Sequence, residues 1–144
     1  MLLTGFNHVA VLTNDTARFT EFYEGVFEAT SEVIEQQPGF QLTIVWIGSQ
    51  ASFNVFQMDG NTESERQVPM FGRGRLDHLA VEAASLEAFE EIRTRLIARG
   101  STDGFVTDFG PDLSLFFRDP DGLEAEVCVV NPDGRPGVFN KPGT

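Results

Sequence analysis

The segment Phe6-Asn7-His8-Val9-Ala10-Val11 recurs 70 residues later as Leu76-Asp77-His78-Leu79-Ala80-Val81, with its apolar, polar and histidine positions in register. The chain has 2 histidines, and both lie at the same position of this repeat. Similarity at a fixed offset indicates a duplicated supersecondary unit, and each half is too small to bury a sheet face by itself. The sequence therefore predicts two related halves that pair into one core.

An amphipathic helix is predicted after each copy of the repeat. The first extends from Asp15 to about Val26, with apolar residues at helical spacing: Phe19, Phe22, Tyr23 and Val26. The second begins at Ser85, a residue type that caps helix N-termini, and ends at Arg99-Gly100, where the glycine suits a C-cap. Its apolar side is predicted to consist of Leu86, Phe89, Ile92, Leu96 and Ile97.

The remainder of each half is predicted to form three strands, so that each half is a β-α-β-β-β module. The ranges are Glu32–Gln36, Phe40–Ile47 and Ser52–Met58 in the first half, and Phe105–Asp108, Leu113–Arg118 and Leu123–Val130 in the second. The last two strands are joined by Asp119-Pro120-Asp121-Gly122, in which proline presets φ and glycine suits the fourth turn position. Gly48-Ser49-Gln50 is the corresponding turn of the first half.

We expect a single α+β domain over residues 1–144, with module 1 at about 5–59 and module 2 at about 76–130. The linker, about 60–75, is polar and contains Pro69, Gly72 and Gly74. The tail, 131–144, holds three prolines and three glycines in 14 residues. Neither the linker nor the tail is predicted to form regular structure.

Composition excludes several classes of protein. The chain has 10 Lys and Arg against 22 Asp and Glu, a net charge of −12, so nucleic acid and anionic lipid surfaces would be repelled. The lone Cys128 cannot form an internal disulfide and is predicted to be a small buried apolar residue. No stretch approaches the ~20 apolar residues of a membrane span, and the start lacks the features of a signal peptide. We expect a cytoplasmic protein.

Strand alternation assembles a candidate site. His8 and His78 point away from the helix layer, and in the last strand Glu124, Glu126 and Cys128 share one face. A lone histidine on a strand is more often an ordinary residue hydrogen-bonded to a carboxylate. Because both histidines share one repeat position, we expect His8, His78 and Glu126 to line one concave surface. Two imidazoles and a carboxylate can hold a divalent metal and leave positions open for substrate.

The paired modules, the x-His-x-Ala-Val openings and the segment Arg118-Asp119-Pro120-Asp121-Gly122-Leu123-Glu124-Ala125-Glu126-Val127 resemble the vicinal oxygen chelate superfamily over about residues 5–130. That superfamily includes glyoxalases, extradiol dioxygenases, fosfomycin-resistance thiol transferases and bleomycin-resistance proteins. The resemblance implies a curved mixed sheet round a single cleft, a homodimer, and metal ligands at His8, His78 and Glu126. The metal would be one divalent ion: Fe, Mn, Ni, Co or Zn.

Departures from each family leave the reaction open. Asn54 falls opposite Glu126 when the modules are superposed, whereas glyoxalase I carries a Glu or Gln there, and an amide cannot act as a base. Glu124 could take that catalytic role, although a solvent-facing residue is the plainer interpretation. The extra pocket histidines of the extradiol dioxygenases are missing. The cations that the thiol transferases need could come from Arg66, Arg73, Arg75 and Arg118, but the three linker arginines are more simply a solvated loop.

We therefore expect a divalent-metal-dependent enzyme acting on a small oxygenated or aromatic molecule. The metal would chelate substrate oxygens and stabilise an enolate or oxyanion. The substrate pocket is predicted to include Asn54, Phe56, Trp46 and Arg118. The alternative is a metal-free, drug-sequestering protein of the bleomycin-resistance type, whose cationic ligands suit an acidic chain. Val138-Phe139 could reach over a partner protomer, though an unstructured end is the plainer expectation.

Overall fold

Each copy of the repeated segment leads into the first strand of a β-α-β-β-β unit in the computed structural model, which describes residues 1–2, 4–134 and the backbone of 141–142. The chain divides into two compact units, Met1–Gln67 and Val68–Thr144. Each unit packs one helix against one mixed sheet. The predicted α+β fold with two βαβββ modules is confirmed.

The first unit contains a four-stranded sheet with the order β1-β4-β3-β2. Its elements are β1 (His8–Leu12), α1 (Thr16–Phe27), β2 (Thr30–Gln37), β3 (Phe40–Ile47) and β4 (Ala51–Met58). Strand β1 is parallel to β4, and the other neighbours are antiparallel. The strands predicted in this half are confirmed to within two residues at each end.

Helix α1 begins where its cap predicts. The side chain of Asp15 accepts a hydrogen bond from the backbone N–H of Arg18 at 2.9 Å, which satisfies one of the unpaired donors of the first turn. All four residues of the predicted apolar stripe are buried. The rings of Phe19 and Tyr23 pack on Phe53 of β4, with ring centroids 5.9 and 5.0 Å away. The face of the sheet that carries Phe53 is therefore the core face.

The second unit contains a five-stranded sheet with the order β5-β8-β7-β6-β9. Its elements are β5 (Ala80–Glu82), α2 (Leu86–Ala98), β6 (Val106–Asp108), β7 (Asp112–Arg118), β8 (Glu124–Val130) and β9 (Lys141–Pro142). Strand β5 is parallel to β8. Its start at Ala80 leaves His78 two residues before the ladder, although the sequence predicted a strand there. The Leu79 carbonyl nevertheless accepts a hydrogen bond from the Glu126 N–H at 3.0 Å.

Helix α2 confirms the predicted ends but has a narrower apolar side. Ser85 accepts a hydrogen bond from the Ala88 N–H at 3.2 Å, and Gly100 adopts a positive φ of 67° after the last turn. Phe89 and Leu96 are fully buried, whereas Leu86 and Ile97 are exposed. Ile97 lies over the following loop instead, so close that a Cβ on Gly104 would meet its Cδ1 at 2.7 Å.

The hairpin between β7 and β8 is confirmed as a tight turn. The N–H of Gly122 donates to the carbonyl of Asp119 at 2.9 Å. The Asp119 Oδ1 accepts from the N–H groups of Asp121 and Leu123, both at 2.9 Å. One buried carboxylate therefore organises the loop that leads into β8.

The expectation that linker and tail are irregular is wrong in two places. Glu63–Glu65 forms a 3₁₀ helix, closed by a hydrogen bond from the Arg66 N–H to the Glu63 carbonyl at 3.0 Å. In the tail, β9 pairs antiparallel with β6, because an edge strand presents backbone groups that a further strand can satisfy. The predicted contact segment Val138-Phe139 lies outside the described residues.

No helix among the described residues could span a membrane. The two α-helices have 12 and 13 residues, whereas a spanning helix needs about 20.

Candidate functional site

An imidazole and a carboxylate meet in the second unit. The Nε2 of His78 lies 2.7 Å from the Oε1 of Glu126, and both side chains are mostly buried. The parallel pairing of β5 with β8 sets Ala80 beside Glu126, which brings the residue two positions before Ala80 to the same face. The contact between His78 and Glu126 of β8 thus follows from the register of β5 on β8.

Both members of this pair are held from behind. The Nδ1 of His78 lies 2.8 Å from the Oδ2 of Asp77. The hydroxyl of Ser114 on β7 donates to the Oε2 of Glu126 at 2.7 Å. The hydrogen bond with His78 holds the pKa of Asp77 below its ordinary value. His78 and Glu126 therefore turn their other atoms, Nε2 and Oε1, towards each other.

Glu124 lies on the same face as Glu126 but has different partners. Its Oε1 accepts from Arg118 Nε at 2.9 Å and from Arg118 Nη2 at 2.6 Å, and its Oε2 accepts from Arg73 Nη2. The hydrogen bonds from Arg118, and then those from Arg73, lower the pKa of Glu124. A carboxylate stabilised in this way is a weak proton acceptor near neutral pH.

A cavity of about 490 Å³ lies beside Glu124, a volume in the range of small-molecule sites. It is lined by Arg118, Phe116, Phe117, Glu124 and the loop 100–103. The ring of Phe116 also contacts the His78 imidazole edge-to-face, with centroids 6.0 Å apart. Arg118 was predicted to belong to the substrate pocket. It lines this cavity together with Phe116, the residue whose ring contacts His78.

His8 and the other predicted pocket residues lie in the first unit. The ladders pair His8 with Ser52, Ala10 with Asn54, and Leu12 with Phe56. Trp46 of β3 also pairs with Ser52. These side chains share the sheet face opposite Phe53, away from α1. The predicted residues His8, Asn54, Phe56 and Trp46 therefore occupy one face of this sheet.

The imidazole of His8 has a contact like that of its repeat partner. Its Nδ1 lies 2.8 Å from the side-chain Oδ1 of Asn7, the residue that precedes it. His8 is exposed in this chain. In both histidines the preceding side chain engages Nδ1, with an amide oxygen in the first unit and a carboxylate in the second.

The arginines of the linker differ from one another. Arg66 forms an exposed ion pair with Glu63 at 3.0 Å, and Arg75 is exposed. Arg73 is not a solvated loop residue as predicted, because its side chain is 9% exposed and is paired with Glu124. Its guanidinium also donates to the Asp77 carbonyl at 3.1 Å.

Cys128 also touches the site. Its thiol donates to the Glu126 Oε2 at 3.4 Å, and the side chain is half-buried. Burial, and then the neighbouring Glu126 charge, raise the pKa of Cys128 to about 11. The thiol is therefore protonated at neutral pH and unsuited to act as a nucleophile.

His78 Nε2 and Glu126 Oε1 could supply two of the ligands of a divalent cation. Two atoms that bind one such cation lie roughly 3 Å apart, since each is about 2.1 Å from it. The 2.7 Å separation of His78 Nε2 and Glu126 Oε1 is close to that spacing. Among the described residues, no group of three or more His, Cys, Asp and Glu side chains is arranged as a metal site. The pair thus offers two ligands of the right chemical types.

Sequence reasoning missed the supporting roles of Asp77 and Ser114, and it named Arg73 only as one of four candidate cations. Asp77 immediately precedes His78, as Asn7 precedes His8, so the repeat itself contained a signal for it. Ser114 could be found only from the register of β7 on β8, and Arg73 only from the path of the linker. Local patterns do not encode either of those contacts.

Comparison with known proteins identifies the fold. A glyoxylase/bleomycin resistance protein/dioxygenase domain from Frankia sp. EAN1pec matches with a TM-score of 0.72 and 21% identity over 94% of this chain and 96% of its own. Lactoylglutathione lyase from Agrobacterium tumefaciens matches with a TM-score of 0.58 and 24% identity, covering 90% and 96% of the two chains. No curated protein matches the sequence.

A third solved structure contains a metal. It is a mutant of the fosfomycin resistance protein FosX from Listeria monocytogenes, complexed with Mn(II) and 1S,2S-dihydroxypropylphosphonic acid. It matches with a TM-score of 0.64 and 17% identity over 88% of this chain and 92% of that one. At these identities the likeness concerns the fold.

The sequence also matches a family model along most of its length. The matched residues are 5–127, which include all strands and the helix of the first unit, and the second unit through the Asp119 turn and the first half of β8. The chain belongs to the Glyoxalase/Bleomycin resistance protein/Dioxygenase superfamily.

Proposed function

We propose that this protein is a divalent-metal-dependent enzyme of the glyoxalase and dioxygenase type that acts on a small oxygenated or aromatic molecule. The observation that carries the proposal is the 2.7 Å approach of His78 Nε2 to Glu126 Oε1. At this distance the two atoms are hydrogen-bonded to each other, and each group also has a second partner that fixes its orientation, as metal-binding side chains do. The superfamily contains metalloenzymes, and a FosX structure is described with Mn(II).

His78 and Glu126 would hold the metal, and the sequence repeat makes His8 the candidate for a third ligand. A bound divalent cation would supply a Lewis acid that polarises neighbouring oxygens of the substrate. A metal ion and a proton compete for the position between His78 Nε2 and Glu126 Oε1, because an imidazole nitrogen that carries a proton cannot bind a metal.

The remaining groups of the second unit would bind and orient the substrate. Arg118 lines the cavity with a mostly exposed guanidinium that is fixed on one side by Glu124. We propose that Glu124 positions this guanidinium and does not transfer protons, because two arginines stabilise its charge. The substrate would lie against Phe116, whose ring offers an apolar wall.

Metal content tests the proposal. Elemental mass spectrometry on protein purified without an affinity tag should find about one metal per chain. The variants His8→Ala, His78→Ala and Glu126→Ala should lose the metal. Glu35→Ala, which removes an exposed carboxylate on β2, should retain it and serves as the matched control.

Two results would contradict this proposal in different ways. A wild type that remains metal-free after anaerobic reconstitution with Fe, Mn, Ni, Co and Zn would overturn the enzyme and leave a ligand-binding protein of the bleomycin-resistance type. Retention of the metal in His8→Ala, with loss in the other two variants, would remove His8 from the ligand set. The identity of the metal would then direct the assay, with iron favouring oxygen chemistry and nickel or zinc favouring isomerisation.

A further inference from the structure

The carboxylate behind His78 is itself fixed in place. Asp77 accepts from the Phe71 N–H through Oδ1, while Oδ2 faces the imidazole Nδ1 at 2.8 Å. A carboxylate with both oxygens engaged has little freedom to rotate. The Asp77 carboxylate therefore fixes the orientation of the His78 ring.

The backbone of Asp77 is anchored as well. The guanidinium of Arg73 donates to the Asp77 carbonyl at 3.1 Å and to the Val68 carbonyl at 2.5 Å, and it pairs with Glu124 of β8. Its side chain is nearly buried. This arginine joins the segment 68–77 to the strand that carries Glu126, which limits the movement of His78 relative to Glu126.

The first unit offers an internal comparison. Asn7 occupies the repeat position of Asp77 and meets His8 Nδ1 at the same distance, 2.8 Å. An amide oxygen accepts the same hydrogen bond, but it lacks the charge that makes an imidazole more basic. The two histidines therefore have the same orienting contact with different electrostatic strength.

We propose that Asp77 is a positioning residue that presents His78 Nε2 to a divalent cation and strengthens it as a ligand. The inference rests on the proposed function, since it assumes that His78 binds a metal. A carboxylate behind a metal-binding histidine fixes which ring nitrogen carries the proton and raises the basicity of the other. Loss of such a partner lowers metal affinity by about 10–100-fold in known sites.

The test compares two substitutions of Asp77 with one of Asn7. Titration of the purified chain with Zn(II) and with Mn(II), in competition with a chelator, gives the dissociation constant for each ion. Asp77→Ala should weaken binding by about 10–100-fold. Asp77→Asn, which restores an acceptor without charge, should recover part of that loss. Asn7→Ala should cost less than Asp77→Ala.

A second measurement separates positioning from folding. Nitrogen-15 NMR of the zinc-loaded wild type should find the proton of His78 on Nδ1, and Asp77→Ala should lose the signal of the hydrogen-bonded Nδ1 proton. Thermal midpoints in EDTA report the stability of each variant without metal, and Asp77→Ala should have a lower midpoint than Asn7→Ala because it also removes the acceptor of the Phe71 N–H. The metal titrations are therefore run well below every midpoint, so that a loss of affinity is not a loss of fold.

The outcomes distinguish this inference from the proposed function. If Asp77→Ala binds both ions as tightly as the wild type, the inference is overturned while the metal site stands. If the wild type binds neither ion, the proposed function is overturned and the inference falls with it. Equal losses in Asp77→Asn and Asp77→Ala would assign the whole effect to charge and overturn the positioning role.

Discussion

Three carboxylates close together in the second unit have different chemical settings because their immediate partners differ. Glu126 meets an imidazole, a hydroxyl and a thiol. Glu124 meets two guanidinium groups, and Asp77 meets an imidazole and a backbone N–H. Guanidinium contacts stabilise the ionised form, whereas an imidazole and a carboxylate can share a proton or a cation. The partner, and not the residue type, therefore decides which of the three suits a metal.

A carboxylate outside the site allows a test of pH dependence. The hydrogen bond from its own backbone N–H, followed by that from Ser85, lowers the pKa of Glu87 at the start of α2. NMR titration should give a value below that of glutamate in an unfolded chain, about 4.3. Because the folded pKa is lowered, this contribution to stability is complete above the unfolded value and is lost as the pH falls through the folded pKa.

Two variants control the Glu87 prediction. Ser85→Ala should raise the pKa of Glu87 towards its ordinary value. Glu87→Gln should make the free energy of unfolding fall less steeply as the pH is lowered below about 4.3. A Glu87 pKa at or above the unfolded value would contradict the predicted direction.

At the scale of elements, the β7–β8 hairpin carries most of the site. One face of it presents Ser114, Phe116, Glu124 and Glu126, and the register pairs Phe116 with Glu126. A slip of one residue would turn Glu126 to the core face, since side chains alternate along a strand. The Asp119 turn, which closes the hairpin, is therefore as important for the site as the ligands are.

Removal of the buried turn carboxylate tests this role. Asp119→Ala leaves the N–H groups of Asp121 and Leu123 without their shared acceptor. We expect a loss of about 1–3 kcal/mol in the free energy of unfolding, measured with urea. Pro120→Ala at the next turn position should cost under about 1 kcal/mol. Equal effects of the two substitutions would show that the carboxylate does not organise the turn.

At the scale of the whole molecule, the two units share one plan but expose different chemistry. On the face opposite α1, the first unit presents the apolar, half-exposed Leu42, Ile44 and Phe56 together with the uncharged amide of Asn54. The corresponding face of the second unit presents the charged side chains of Glu124 and Glu126. The two units therefore share a backbone arrangement but differ in the charge of this face.

The charge of the whole chain predicts a response to salt. A net charge of −12 makes the folded state repel itself. Raising NaCl from about 10 to about 150 mM shortens the Debye length from about 30 to about 8 Å. In EDTA, this change should raise the thermal midpoint by about 2–4 °C.

A charge variant checks the cause of the salt effect. Glu32→Lys, at an exposed position of β2, lowers the net negative charge and should reduce the response. A midpoint that falls with added salt would contradict self-repulsion as the dominant long-range term.

The order of strands and helices, the α1 and α2 caps and the Asp119 turn were determined by the sequence alone, because each depends on residues that are close along the chain. The alternation of side chains along β8 likewise put Glu124 and Glu126 on one face. The repeat singled out His8 and His78 for the same reason, since equivalent positions in duplicated units need no knowledge of packing.

Other features depended on the tertiary structure. The burial of Arg73 against Glu124, the hydrogen bond from Ser114 to Glu126 and the pairing of β9 with β6 join residues that are 51, 12 and more than 30 positions apart. Ile97 followed the helical pattern but covers a loop, and Leu86 is exposed. These contacts arise from strand register and from the path of a loop, which local propensity does not determine because their free energy comes from groups brought together only when the sheet forms.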